Sequence, residues 1–222
     1  MKTVNIPAIM RVLKKEFESN SMPVVDLIEE QSGDPLKILI GTILSARTKD
    51  ETTRDASQRL FSQVHTVDDL DKLTEKHLQQ IIFPVGFYRT KARHLKELPS
   101  KMRELFDGRV PDSLEDLMKL PGVGRKTANL VMAIAFKKPA ICVDTHVHRI
   151  CNRFGYINTK TPFETEMALR EKLPRKYWLL FNSYLVSFGQ NTCRPVSPRC
   201  SVCPVQGFCN QVGVKNISKS NQ

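Results

Sequence analysis

No stretch of this sequence approaches the roughly 18 consecutive apolar residues that a membrane-crossing helix needs, which excludes such a helix. The N-terminal segment Met1-Lys2-Thr3-Val4-Asn5-Ile6-Pro7 has neither a long apolar run nor a small-residue cleavage pattern, which argues against a secretory leader. An internal repeat is also lacking, and low-complexity sequence is confined to the polar tail from Lys215 to Gln222. Strand signals are weak: the apolar run Ala140 to Val143 is too short to outweigh the helical periodicity elsewhere. Acidic residues are in short supply, 23 against 34 lysines and arginines, a net charge of +11. That excess favours a polyanionic partner, because basic side chains at phosphates release counterions, although a surplus of charge also serves solubility alone.

A chain without a leader is expected inside the cell, cytoplasmic in a prokaryote or nuclear in a eukaryote, where thiols stay reduced. Its six cysteines are then not a disulfide framework. Cys142 and Cys151 stand apart in apolar surroundings and read as small buried hydrophobes. Cys193, Cys200, Cys203 and Cys209 form a C-x6-C-x2-C-x5-C run. Four thiolates that close together can hold one metal centre, an iron–sulfur cluster or a tetrahedral zinc. Between the first two lie Arg194, Pro195, Val196, Ser197, Pro198 and Arg199, a loop stiffened by proline with two arginines suited to phosphate.

The 41% hydrophobic content suffices for a core, and its periodicity is helical. Helices are expected over Ile6–Asn20, over 36–46 behind the cap Asp34 and first-turn Pro35, over 49–63, and over 67–73 and 75–82 behind Thr66 and Thr74. Further helices are expected over 90–106 with a bend near Pro99, 113–119, 125–136, from the cap Asp144 toward Phe154, 163–173 behind Thr161-Pro162, and 175–189. An all-α fold follows.

The segment LPGVGRKTA, residues 120–128, has the form of a hairpin between two helices. Its glycines permit positive φ and let the backbone come close to another surface. The amides around Gly122, Gly124 and Arg125 then sit at a helix N-terminus, which suits a phosphate and reads backbone, not sequence. An ordinary helical corner is the plainer alternative. Lys126 lies just past these glycines. A lysine forms a Schiff base only as the free amine, which the helix dipole and burial under a bound partner would both favour. The plainer role for it is to contact phosphate.

Residues 120–128, VDTHVHR at 143–149 and the four-cysteine loop, in this order, closely resemble the endonuclease III family. These are DNA glycosylases of the helix-hairpin-helix superfamily. Leu44-Ser45-Ala46 followed by Thr48-Lys49-Asp50, and Gly86-Phe87-Tyr88 followed by Lys91-Ala92, extend the resemblance from about Asp34 to Cys209. It implies a two-domain helical fold: a six-helix domain over 27–138, and a second domain made of 1–26 with 139–222 that carries the cluster, with a DNA cleft between them.

The resemblance further implies a bifunctional glycosylase and abasic-site lyase that removes oxidised pyrimidines from duplex DNA, acting as a monomer. Lys126 matches the nucleophile and Asp144 the essential carboxylate, which also reads as a helix cap. Cys193, Cys200, Cys203 and Cys209 match the ligands of a [4Fe–4S] cluster of mostly structural role. His146, His148 and Arg149 are expected in core packing or phosphate contact. Many relatives carry glutamine where Arg47 stands; Arg47 would fill the hole left by the flipped base and hydrogen-bond its orphaned partner, guanine above all. Phe87 matches an apolar wedge between bases, or else a core aromatic. A monofunctional mismatch glycosylase and a non-catalytic iron–sulfur DNA-binding protein are the alternatives; the first typically lacks the lysine, and the second needs neither Lys126 nor Asp144.

Overall fold

A computed structural model describes residues 2–20 and 22–214; the polar tail from Lys215 lies outside them. Among the described residues there are twelve α-helices and no strand. They are α1 (Ile6–Ser19), α2 (Val24–Ser32), α3 (Pro35–Ser45), α4 (Asp50–Phe61), α5 (Val67–Lys72) and α6 (Glu75–Ile82). Then come α7 (Tyr88–Phe106), α8 (Leu114–Leu117), α9 (Arg125–Ala135), α10 (Thr145–Phe154), α11 (Pro162–Lys172) and α12 (Trp178–Asn191). None of the described helices is long and apolar enough to cross a membrane.

The chain divides into two compact units, residues 23–140 and residues 1–22 with 141–222. The first holds α2 to α9, of which α5 and α8 are short, with 6 and 4 residues. At its centre is α3, whose residues 38–44 are all buried. The Asp34 carboxylate caps it, accepting the Leu36 amide at 2.8 Å. Around it Leu39, Ile43, Leu60, Leu78, Leu95 and Val131 form one core. The second unit holds α1 and α10 to α12, and its core gathers Ile9, Leu13, Val147, Ile150, Phe181 and Phe188.

Several local expectations are met. Thr66 and Thr74 cap α5 and α6 through their hydroxyls, and Asp69 completes a capping box with Thr66. The run Ala140 to Val143 is buried, non-helical backbone outside any sheet. Three expectations need correction. Helix α2 has no counterpart in the sequence reading, because no side chain caps it and only Val24, Val25 and Ile28 of it are buried. The helix expected from Arg175 begins as a 3-10 turn, Arg175–Tyr177, after Pro174. Helix α7 starts two residues earlier than expected and continues through the buried Pro99.

Candidate active site and cluster loop

In the unit 23–140 the hairpin is built from α8, a tight turn and α9. The Ser113 hydroxyl caps α8 by accepting the Asp116 amide at 3.1 Å. Leu120 and Val123 are buried and pin the turn to the core, and the Val123 amide closes it on the Leu120 carbonyl at 3.2 Å. Only one of the two hairpin glycines has the left-handed backbone expected of both. Gly122 has φ +75°, and a Cβ there would stand 2.8 Å from His94 Nδ1. Gly124 has φ −94° and only open space where a Cβ would go. As the N-cap of α9 it offers no side chain, and the first turn of α9 holds no acidic residue. Asparagine, aspartate, serine or threonine caps α1, α3, α5, α6, α8, α10 and α11. The end of α9 thus offers its amides and dipole to an outside anion. Arg125 is half-buried at the first helical position, and Lys126 is exposed at the second.

The same unit brings Arg47 and Phe87 together. Both are non-glycine residues in the left-handed region, φ 54° and 58°, where such strain tends to mark functional positions. Arg47 is exposed, and the Phe87 ring is 62% exposed, so it is no core aromatic. The Arg47 guanidinium lies 5.5 Å from the centroid of that ring. Arg47, Phe87, His94 and Gly122 line one solvent-open cavity of about 570 Å³, its open volume included.

Asp144 belongs to the other unit. Its Oδ1 accepts the amides of His146 and Val147, both at 2.9 Å, and so caps α10. Its Oδ2 takes no hydrogen bond among the described residues, which leaves half of the carboxylate for other work. Downstream, α10 serves the core and the cysteine loop. His148 pairs with the Thr165 hydroxyl at 2.7 Å. Arg149 donates to the Cys193 carbonyl at 2.8 Å, and Arg153 to the carbonyls of Arg194 at 2.6 Å and Pro195 at 2.8 Å.

The loop itself carries two 3-10 turns, Cys200–Val202 and Gln206–Phe208. Cys193, Cys200, Cys203 and Cys209 line one cavity together with Arg153, Phe154 and Phe188. Among the described residues no three His, Cys, Asp or Glu side chains converge on a point as one metal ion requires. The four thiols nevertheless share the lining of that one cavity, as ligands of a common centre must. Burial pushes the Cys203 thiol up to about 11 and raises those of Cys200 and Cys209, so a bound metal has to displace their protons. The Gln211 amide donates to Cys209 Sγ at 3.3 Å, and Arg153 approaches Cys193 Sγ at 3.5 Å. Arg194 and Arg199 are exposed on the loop. Cys142 and Cys151 are buried, and burial keeps the Cys151 thiol protonated.

Two functional candidates escaped the sequence reading. Arg153 holds the start of the cysteine loop; its only signal was its place one helical turn after Arg149. Lys91 is 6% exposed on the buried face of α7, where Ala92, Leu95 and Leu98 are also buried. A lysine in phase with an apolar stripe was the available signal.

Comparison with known proteins gives concordant results. A profile of the HhH-GPD superfamily base excision DNA repair proteins matches residues 40–175. A second, for the iron–sulfur binding domain of endonuclease III, matches residues 193–209. Endonuclease III of Thermotoga maritima is 49% identical over 204 residues, 92% of each chain. A solved non-covalent endonuclease III–DNA complex superposes with a TM-score of 0.81 at 33% identity, covering 94% of this chain and 97% of the other. A trapped endonuclease III–DNA covalent intermediate with an estranged adenine superposes with a TM-score of 0.76 at 34% identity, covering 85% and 93%.

Proposed function

Since the chain belongs to the endonuclease III family of helix-hairpin-helix base excision repair proteins, we propose that Lys126 is its nucleophile and Asp144 its essential carboxylate. The protein is a DNA glycosylase and abasic-site lyase with a [4Fe–4S] cluster, acting on oxidised pyrimidines in duplex DNA. The observation that carries the residue assignment is an exposed lysine in the first turn of a helix whose N-terminus no side chain caps. The amides near Gly122, Gly124 and Arg125 hold a phosphate of the damaged strand at that same end. The Lys126 amine attacks C1′ of the flipped nucleotide, and the C1′–N bond breaks as the base departs with its electron pair and a proton. The imine that forms with the opened sugar makes the C2′ proton acidic. Its loss expels the 3′ phosphate and nicks the strand. Asp144, fixed through Oδ1, turns Oδ2 to the positive charge that develops on the sugar and assists the proton transfers.

Arg47 fills the space left by the flipped base and donates to the orphaned partner, with guanine as the matching acceptor through O6 and N7. Phe87 unstacks the neighbouring bases. Cys193, Cys200, Cys203 and Cys209 hold the cluster, which supplies rigidity to the loop that presents Arg194 and Arg199 to the backbone. The enzyme acts as a monomer on the damaged duplex.

Borohydride trapping tests the reading. Duplex DNA with an abasic site is expected to give a covalent complex with the wild type and none with Lys126→Ala. A complex of equal yield from Lys126→Ala would remove Lys126 from the mechanism.

A further inference from the structure

Burying an ammonium group is expensive, and a site that needed only filling would hold methionine or leucine at lower cost. Lys91 is nevertheless buried, and its three N–H donors meet three acceptors. They reach the Leu44 carbonyl at 2.7 Å, the Ala46 carbonyl at 2.6 Å and the Thr48 hydroxyl at 3.1 Å. Leu44 and Ala46 belong to the C-terminal end of α3, where carbonyls lack helical partners and a cation suits the dipole. Between these ties sits Arg47 in its left-handed conformation.

Thr48 extends the connection to the second strained residue. The same hydroxyl that accepts from Lys91 accepts the Gly86 amide at 3.1 Å. At that point the two loops touch along their backbones: a Cβ on Gly86 would lie 2.5 Å from the Arg47 carbonyl oxygen. Phe87 follows directly, with its ring under the Arg47 guanidinium. Lys91 is thus bonded on both sides of Arg47 and, through Thr48, to the residue before Phe87.

We propose that Lys91 is a positioning residue for base extrusion, holding the turn 45–48 so that Arg47 and Phe87 meet the duplex as one preorganised pair. The proposal rests on the reading of Arg47 and Phe87 as the residues that enter the helix. Burial pushes the Lys91 ammonium down to about 8, while the three acceptors around it favour the charged form. A loose turn would leave both side chains present but badly placed, and small misplacements of groups in a reacting complex cost large factors in rate.

The test compares cluster-loaded wild type and Lys91→Met in single turnover on two substrates. One is duplex DNA with an oxidised thymine opposite guanine. The other is a single-stranded oligonucleotide with an abasic site, where no base has to leave a stack. The duplex rate is expected to fall roughly ten- to a hundredfold further than the single-strand rate. In an Arg47→Ala background Lys91→Met should add little to the selective loss, since it acts through Arg47. Equal losses on both substrates, or full additivity with Arg47→Ala, would make Lys91 a structural residue only and overturn the proposal. If Lys91→Met does not fold, Thr48→Val removes the shared hydroxyl and leaves both carbonyl bonds. Its duplex-to-single-strand ratio should fall too, and an unchanged ratio overturns the proposal. Arg47→Ala and Phe87→Ala identify the other failure. If neither alters the ratio, the reading of that pair is wrong, and the inference about Lys91 goes with it.

Discussion

Gly122 and Gly124 share one turn, but different causes account for them. Gly122 is required from inside, by its positive φ and by His94 against its Cα. Alanine there is expected to cost about 1 kcal/mol or more, read as a lower thermal midpoint. Among the described residues nothing requires Gly124. Gly124→Ala should leave stability within about 0.5 kcal/mol and weaken duplex binding, measured by fluorescence anisotropy, because the added methyl would stand where the proposed phosphate contact is made. Asp144 invites a similar separation of roles. Asparagine is as good an N-cap as aspartate, so Asp144→Asn should hardly shift the thermal midpoint. Base release should nevertheless slow by about 100-fold or more, the scale of a lost acid–base group. A stable variant whose base release is unchanged would show that the carboxylate serves the cap alone.

At the scale of the element, legibility tracked the presence of a local stop or start signal. Asp34, Thr66, Thr74 and Asp144 were readable as caps because the amides they accept lie two or three residues away. Helix α2 was not readable, since it depends on packing against α3 and has no cap of its own. The capping box of α5 gives a test with a definite sign. The Thr66 hydroxyl, then Lys72 and the His65 amide, hold the Asp69 carboxyl down to about 2. A carboxylate lowered in the fold favours folding above the ordinary carboxylate range, and that contribution fades as pH falls through about 2. Thr66→Val should move the Asp69 titration back up toward the ordinary range, followed by NMR of its side chain. A titration that stays near 2 would assign the effect to Lys72 and His65 instead.

For the whole molecule, the +11 charge has a thermodynamic consequence. Each phosphate neutralised should add about −0.9 to the slope of log binding constant against log salt. Affinity for undamaged duplex, titrated across a range of salt, should therefore fall along a straight line of clearly negative slope. A flat line would contradict the polyanion reading of Arg194, Arg199 and the hairpin amides. Each of the two units has its own apolar core.

The sequence by itself determined what depends on near neighbours. It set the capped helix starts, the turn with Gly122, the cysteine spacing and the order of motifs that marks the family. Tertiary structure decided what depends on partners far along the chain. Lys91 finds its acceptors 43 to 47 positions earlier, and Arg153 binds carbonyls 41 and 42 positions later. The left-handed Arg47 and Phe87 are non-glycine residues whose own preferences oppose that conformation. Only contacts between separate loops can hold them there, and no local pattern records such contacts.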